Sequence, residues 1–155
     1  MVNMNFVYEA RKEAIKGVKK GQGGPFGAVI VKNNKIIAKA HNTVVSGNDP
    51  TAHAEMNAIR KAAKKLKTFN LSDCELYSSC EPCPMCFSAI YWARIKKVYY
   101  VATRNDAAKA GFDDANFYEI LSGKKKASTK MIKINDKKEL EEFNIWAKKQ
   151  NKKLY

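Results

Sequence analysis

Residues 49–59 read DPTAHAEMNAI and residues 80–86 read CEPCPMC, and these two stretches decide how the chain is read. His53, Cys83 and Cys86 offer one imidazole and two thiolates, the donors of a tetrahedral zinc site. Glu55 adds a carboxylate that need not ligate. Three protein ligands leave the fourth position of the metal open, which separates a catalytic zinc from a structural one. Both stretches also carry helix-start signals. Asp49 and Thr51 are capping side chains and Pro50 suits a first turn, ahead of Ala54, Met56, Ala58, Ile59 and Ala62. Pro82 and Pro84 play the same part ahead of Met85, Phe87, Ala89, Ile90 and Ala93. His53 and Glu55 are two residues apart and cannot share a helix face, yet both reach over a helix end from its first turn. The pattern therefore predicts a metal at two helix N-termini, whose dipoles favour thiolates and a bound hydroxide. Zinc lowers the pKa of its water to about 7, so a zinc-hydroxide nucleophile is expected, with Glu55 as proton shuttle.

Two other metal readings stand beside this one. A structural zinc, with Glu55 as a helix-capping acid, requires a fourth protein ligand. Cys80, Cys83 and Cys86 also overlap part of an iron–sulfur run, whose fourth ligand would have to be Cys74, on the wrong side of the run. Residues 75–80 alternate as a strand, so Cys80 is expected to end it and Cys74 to be a free thiol at its start.

A chain of 155 residues is expected to form one domain, 1–155, with room for a real core. No secretory signal is read, and the apolar run Phe26–Val31 is far too short to span a bilayer. Four cysteines at metal spacing, outside any disulfide framework, point to a reducing, cytoplasmic setting. The net charge of +14 raises nucleic acid as a partner, but the excess is nearly all lysine, spread along the chain. Arginine, the better bidentate phosphate ligand, occurs only at positions 11, 60, 94 and 104. Nucleic acid is thus not expected as a partner, and charge alone does not exclude it.

The remaining pattern predicts a helix over residues 6–19, a breaker cluster at Gly21-Gln22-Gly23-Gly24-Pro25, and a hairpin. The hairpin strands are 26–32 and 36–41 around Asn33-Asn34. Further strands are expected at 75–80 and 97–102, with a helical stretch near 106–110 and a loop at Gly111-Phe112-Asp113-Asp114. A fifth strand is expected at 130–134, reached by a long link that permits a right-handed crossover and parallel pairing, and a last helix at 137–149. The expected fold class is α/β, a three-layer sandwich with helices on both faces of a five-stranded mixed sheet.

The H-x-E and P-C-x-x-C pair is the signature of zinc deaminases, and the chain resembles the cytidine-deaminase-like superfamily, more narrowly the bacterial-type guanine deaminases. The stretches that carry the resemblance are GGPFGAVIV (23–31), NDPTAHAE (48–55), SCEPCPMC (79–86), AIYWAR (89–94), and DAA with AGFDD (106–114). The resemblance implies a cytidine-deaminase-like fold and hydrolysis of guanine to xanthine and ammonia, with one zinc per chain on His53, Cys83 and Cys86. It also implies a homodimer, with the segment from about 137 to 155 swapped between subunits. By motif position, it assigns Asn42 and Asp114 to the base, with Phe26, Ala54 and Trp92 around it and Tyr155 on a terminus that closes the site. The runner-up is a tRNA adenosine deaminase, which shares the zinc motif. Guanine presents N1–H and a 2-amino group, which suit an ionised Asp114, and its O6 and N7 need a donor such as the Asn42 amide. Adenine N1 is an acceptor and mismatches a carboxylate. A non-enzymatic alternative is a zinc-stabilised RNA-binding module, against which Glu55 and an open coordination position argue.

Overall fold

The Asn3 side chain accepts the Asn5 N–H at 3.1 Å and caps the first helix, α1 (Met4–Lys19), of the computed structural model, which describes residues 2–138 and 140–155. One face of α1 buries Phe6, Val7, Ala10 and Ala14. Strands β1 (Gly27–Lys32) and β2 (Lys35–His41) follow as an antiparallel hairpin. Asn33 and Asn34 both take positive φ, 48° and 58°, the two-residue turn whose twist matches its strands. A one-turn helix α2 (Val44–Gly47) precedes α3 (Ala54–Leu66), β3 (Cys74–Cys80), α4 (Pro84–Trp92) and β4 (Lys97–Ala102). The chain ends in α5 (Arg104–Lys109), α6 (Asp114–Leu121) and α7 (Glu141–Lys148).

The sheet order is β2-β1-β3-β4, with β3 antiparallel to β1 and parallel to β4. Central β1 is buried on both faces, which is why it reads as a continuous apolar run. Val29 and Val31 pack with Phe6, Val7 and Ala10 of α1. Ala28 and Ile30 pack on the other face with Ala54, Ala58 and Ala62 of α3 and Ile90 of α4. This makes the α/β/α sandwich. Gly27 permits the close approach of α1, since a Cβ there would lie 2.1 Å from the Ala10 carbonyl oxygen. Among the described residues, no helix is long and apolar enough to cross a membrane.

Among the described residues the sheet has four strands, which corrects the expected five. The predicted strand at 130–134 is irregular, and Met131, Ile132 and Ile134 are 96%, 80% and 81% exposed. Its β-branched residues suit a strand, but strand propensity is realised only in a ladder, and among the described residues no strand of the sheet pairs with this segment. The parallel pair is β3–β4, joined through α4. Segment 111–114, read as a loop, runs into α6 at Asp114. The last helix occupies only Glu141–Lys148 of the predicted 137–149, and residue 139 lies outside the described residues. None of its residues is buried.

Candidate active site

His53 is the N-cap of α3 and Cys83 the N-cap of α4, with Pro84 opening the latter helix. Neither side chain caps its own helix, so both are free to turn toward each other. The capping expected of Asp49 and Thr51 is not made. The Asp49 carboxylate instead accepts the Thr51 N–H and hydroxyl at 2.8 and 2.7 Å, closing a turn upstream of α3. Strands β2 and β3 both run antiparallel to the β1 between them, so the segments leaving them start α3 and α4 at the same end of the sheet, and the two half-motifs meet there.

His53 Nδ1 lies 3.5 Å from Cys83 Sγ and 3.6 Å from Cys86 Sγ, and the three donor atoms lie within 4.8 Å of one another. Tetrahedral zinc with Zn–N about 2.0 Å and Zn–S about 2.3 Å sets an N···S separation of about 3.5 Å. The residues fit the ion. A hydrogen bond with Cys86, then one with His53, hold the Cys83 thiol down at about 4, against burial. The same bond and burial push Cys86 up, so the two sulfurs share a proton unless a cation draws both to thiolates. The bond to Cys83 raises the His53 imidazole above its usual value.

Glu55, one residue into α3 beyond Ala54, is buried. Its Oε1 accepts from the Ser78 hydroxyl at 3.2 Å and its Oε2 from the Cys86 thiol at 3.5 Å. Burial pushes its carboxyl above the usual carboxylate range, the direction that suits a group exchanging protons near neutrality. Cys80 is not part of the cluster. It ends β3, donates toward the Thr103 carbonyl at 3.6 Å, and burial pushes its thiol up to about 12. Cys74 stands at the opposite end of β3, about 20 Å along the strand, so the iron–sulfur spacing has no fourth ligand.

A cavity of about 220 Å³ opens on the cluster and is lined by His53, Glu55, Cys83, Phe26, Asn42 and Asp114, with Phe112 beside Phe26. That is below the roughly 300–1,000 Å³ of drug-sized sites and suits a single heterocycle. The Phe26 and Phe112 rings meet edge to face, centroids 4.7 Å apart. Asn42 Oδ1 accepts the Val44 N–H at 3.1 Å, which leaves the amide nitrogen as the end free for a ligand. Gly23 makes this possible, since a Cβ there would lie 2.1 Å from that oxygen. Asp114 opens α6 half-buried, and burial, then the nearby Cys83 charge, raise its carboxyl.

Other expected residues lie elsewhere. Ala54 is fully buried against the sheet, so its side chain is core. Trp92 and Tyr155 do not line this cavity. Their rings lie 5.6 Å apart at the far end of α4, about 13 Å along the helix from Cys83, and are 59% and 66% exposed. A larger concavity of about 750 Å³, bounded by Phe87, Tyr91, Val98 and Tyr100, contains none of the cluster residues. Sequence reasoning missed Phe112 and the brace formed by Glu81, Arg104 and Tyr118. Arg104 binds the Glu81 carboxylate through its guanidinium and its N–H, and stacks 3.6 Å over the Tyr118 ring. The Tyr118 hydroxyl donates to the Pro82 carbonyl at 2.8 Å, so the loop carrying Cys83 is held from both α5 and α6. The available signal was Glu81 inside the cysteine motif. His41, given no role from sequence, has Nδ1 on Glu13 and Nε2 on Gln22, both at 2.8 Å.

The model of the cytidine and deoxycytidylate deaminase zinc-binding region matches residues 2–102. Guanine deaminase of Bacillus subtilis (strain 168) is 50% identical over 156 residues, covering 100% of both chains. Its X-ray structure superposes with a TM-score of 0.94 at 49% identity, covering 100% of this chain and 99% of that one. A guanine deaminase structure from Nitrosomonas europaea gives a TM-score of 0.68 at 31% identity, over 73% of this chain and 65% of that one. The tRNA-specific adenosine deaminase of Aquifex aeolicus (strain VF5) is 50% identical over 97 residues, 63% of this chain and 64% of the relative. The guanine deaminase likeness thus runs through the Asp114 segment and the tail, beyond the part matched by the family model.

Proposed function

The chain belongs to the bacterial guanine deaminases of the cytidine-deaminase-like zinc deaminase superfamily, and on that premise we propose that it hydrolyses guanine to xanthine and ammonia. One observation carries the reading: a donor end at Asn42 and an acceptor at Asp114 open on the same cavity as Glu55 and the His53–Cys83–Cys86 cluster. When bound there, zinc supplies the Lewis acidity that makes water nucleophilic near neutral pH. The Asn42 amide donates to O6 and N7, and the Asp114 carboxylate accepts from N1–H and the 2-amino group. Phe26 and Phe112 offer ring surfaces to the base. Ala54 meets the base through its backbone N–H, a first-turn helix donor without an intrahelical partner. Glu55 takes a proton from the attacking water, passes it to ring N3, and delivers the second to the departing amino group. C2–O forms as N3 takes its proton; the C2–N bond then breaks as the C2=O double bond forms, and ammonia leaves.

A zinc-loaded assay against guanine, guanosine, other aminopurines and tRNA tests this. Xanthine and ammonia are expected from guanine, whereas deamination of tRNA adenosine without action on guanine overturns the reading. Asp114→Asn replaces a charged acceptor with an amide, an expected loss of roughly 1.5–3 kcal/mol, or roughly 10- to 150-fold in kcat/KM.

The acting unit in this reading is a homodimer with exchanged tails. Tyr155 sits beside Trp92, away from its own cavity, while Met131, Ile132, Ile134 and Phe143 stand exposed among the described residues. The exposed Phe87, Tyr91 and Tyr100 offer a complementary apolar surface to a second copy. Across that interface, Trp92 and Tyr155 approach the partner's base and exclude water. Deleting residues 151–155 is expected to leave a folded, zinc-bound dimer with kcat/KM lowered on the order of 10²-fold. Unchanged turnover assigns the tail to packing alone, and a monomer by light scattering removes the exchange. The four unpaired cysteines fit a cytoplasmic setting.

A further inference from the structure

The Asn57 side chain, half-buried one turn into α3, donates from a single amide nitrogen to the His41 carbonyl at 3.1 Å, the Thr43 hydroxyl at 3.0 Å and the Ala52 carbonyl at 3.2 Å. That nitrogen carries two hydrogens, so one is shared between acceptors. The two carbonyl oxygens also settle the amide orientation, because the oxygen of a flipped amide would face both of them acceptor to acceptor. The choice of partners is what matters. His41 and Thr43 flank Asn42, and Ala52 immediately precedes His53. The Asn57 N–H donates to the His53 carbonyl at 2.9 Å, so the same residue grips the metal side through its backbone as well. Glu55 lies on the same helix turn.

We infer that Asn57 is a positioning residue that sets the distance between the Asn42 amide and the His53–Glu55 side of the centre. It touches neither base nor metal. Asn42 leaves the end of β2 on an irregular segment, where its own N–H donates to the Phe26 carbonyl at 3.0 Å and the bonds of its neighbours fix the rest of its placement. From the α2 side, the Val44 N–H fixes which end of the Asn42 amide is free. From the α3 side, Asn57 fixes where the backbone on either side of Asn42 stands relative to the metal ligand. The Thr43 N–H to Ala52 carbonyl bond, at 3.0 Å, joins the same two segments but leaves them free to hinge. Asn57 turns that hinge into a rigid joint by adding bonds on both flanks. A base held by Asn42 is thereby presented in register with Glu55. The inference rests on the reading of Asn42 as the base-recognising donor.

The test is a double-mutant cycle read by calorimetric binding of hypoxanthine to the zinc-loaded protein. Hypoxanthine keeps O6, N7 and N1–H but lacks the amino group that is cleaved. Asn57→Ala is expected to weaken hypoxanthine about tenfold and to raise the KM for guanine in step, at full zinc content. In an Asn42→Ala background the same change is expected to cost nothing further, because its effect passes through Asn42. Thr43→Val, which removes one of the three acceptors at constant shape, is expected to show a smaller shift with the same dependence on Asn42. If Asn57→Ala does not fold or loses zinc, Thr43→Val decides the matter in the same cycle. Additive losses, or unchanged hypoxanthine affinity in the single variants, overturn the positioning role and leave the guanine reading standing. Unchanged affinity in Asn42→Ala alone overturns both.

Discussion

Glu55→Ala is expected to lower guanine turnover by roughly 10²–10⁴-fold while the protein keeps its fold and about one zinc per chain. Glu55 is not among the three clustered donors, so its removal takes no ligand from the metal. Its carboxylate is held by Ser78 and Cys86, two groups of the core that remain in place without it. Burial already disfavours the charged form, so loss of the carboxylate costs the fold little. What disappears is the group that moves protons between water, ring nitrogen and leaving amine. Glu55→Gln sharpens the test, since an amide preserves the bond from Ser78 and cannot take a proton. Ammonia release, zinc content by elemental analysis and circular dichroism separate the outcomes, and near-wild-type turnover in either variant removes Glu55 from the mechanism.

Cys83→Ala and Cys86→Ala are expected to abolish zinc binding and activity together. With two donors left, neither the tetrahedral geometry nor the affinity of a three-ligand centre survives. The two variants should part company in stability. Cys86 is fully buried in the first turn of α4, so truncating it leaves a small void, whereas Cys83 faces the cavity and its loss is felt mainly by the metal. Chelation of the intact protein should reproduce the inactive state, and added zinc should reverse it. The bound ion is expected to be colourless, with three protein ligands. Iron by elemental analysis, or a fourth protein sulfur or nitrogen on the metal by X-ray absorption, contradicts this assignment.

Sequence alone determined whatever depends on near neighbours. The hairpin followed from two asparagines that tolerate left-handed backbone between β-branched runs. The metal donors followed from residue type and spacing, and the start of α4 from a proline whose missing N–H costs nothing at a first helical position. The family resemblance rested on such local runs, and so did the choice of Asn42, Asp114 and Phe26 as pocket residues.

Tertiary structure decided what depends on partners distant in sequence. Residues 130–134 have strand composition but no strand, because a ladder exists only where another backbone offers its N–H and C=O groups. Asp49 and Thr51 have capping chemistry but bond to each other, since the helix begins later, at the residue whose imidazole is needed free. Phe112 became a wall of the cavity only when α5 and α6 folded back over Phe26. Trp92 and Tyr155, assigned by motif to the base, came together at the end of α4 away from their own cavity, a placement that no spacing rule along the chain states. Asn57 carried no motif at all. Its place beside His41, Thr43 and Ala52 exists only once β2 and α3 are packed, because hydrogen bonds between segments are set by geometry that residue order does not contain.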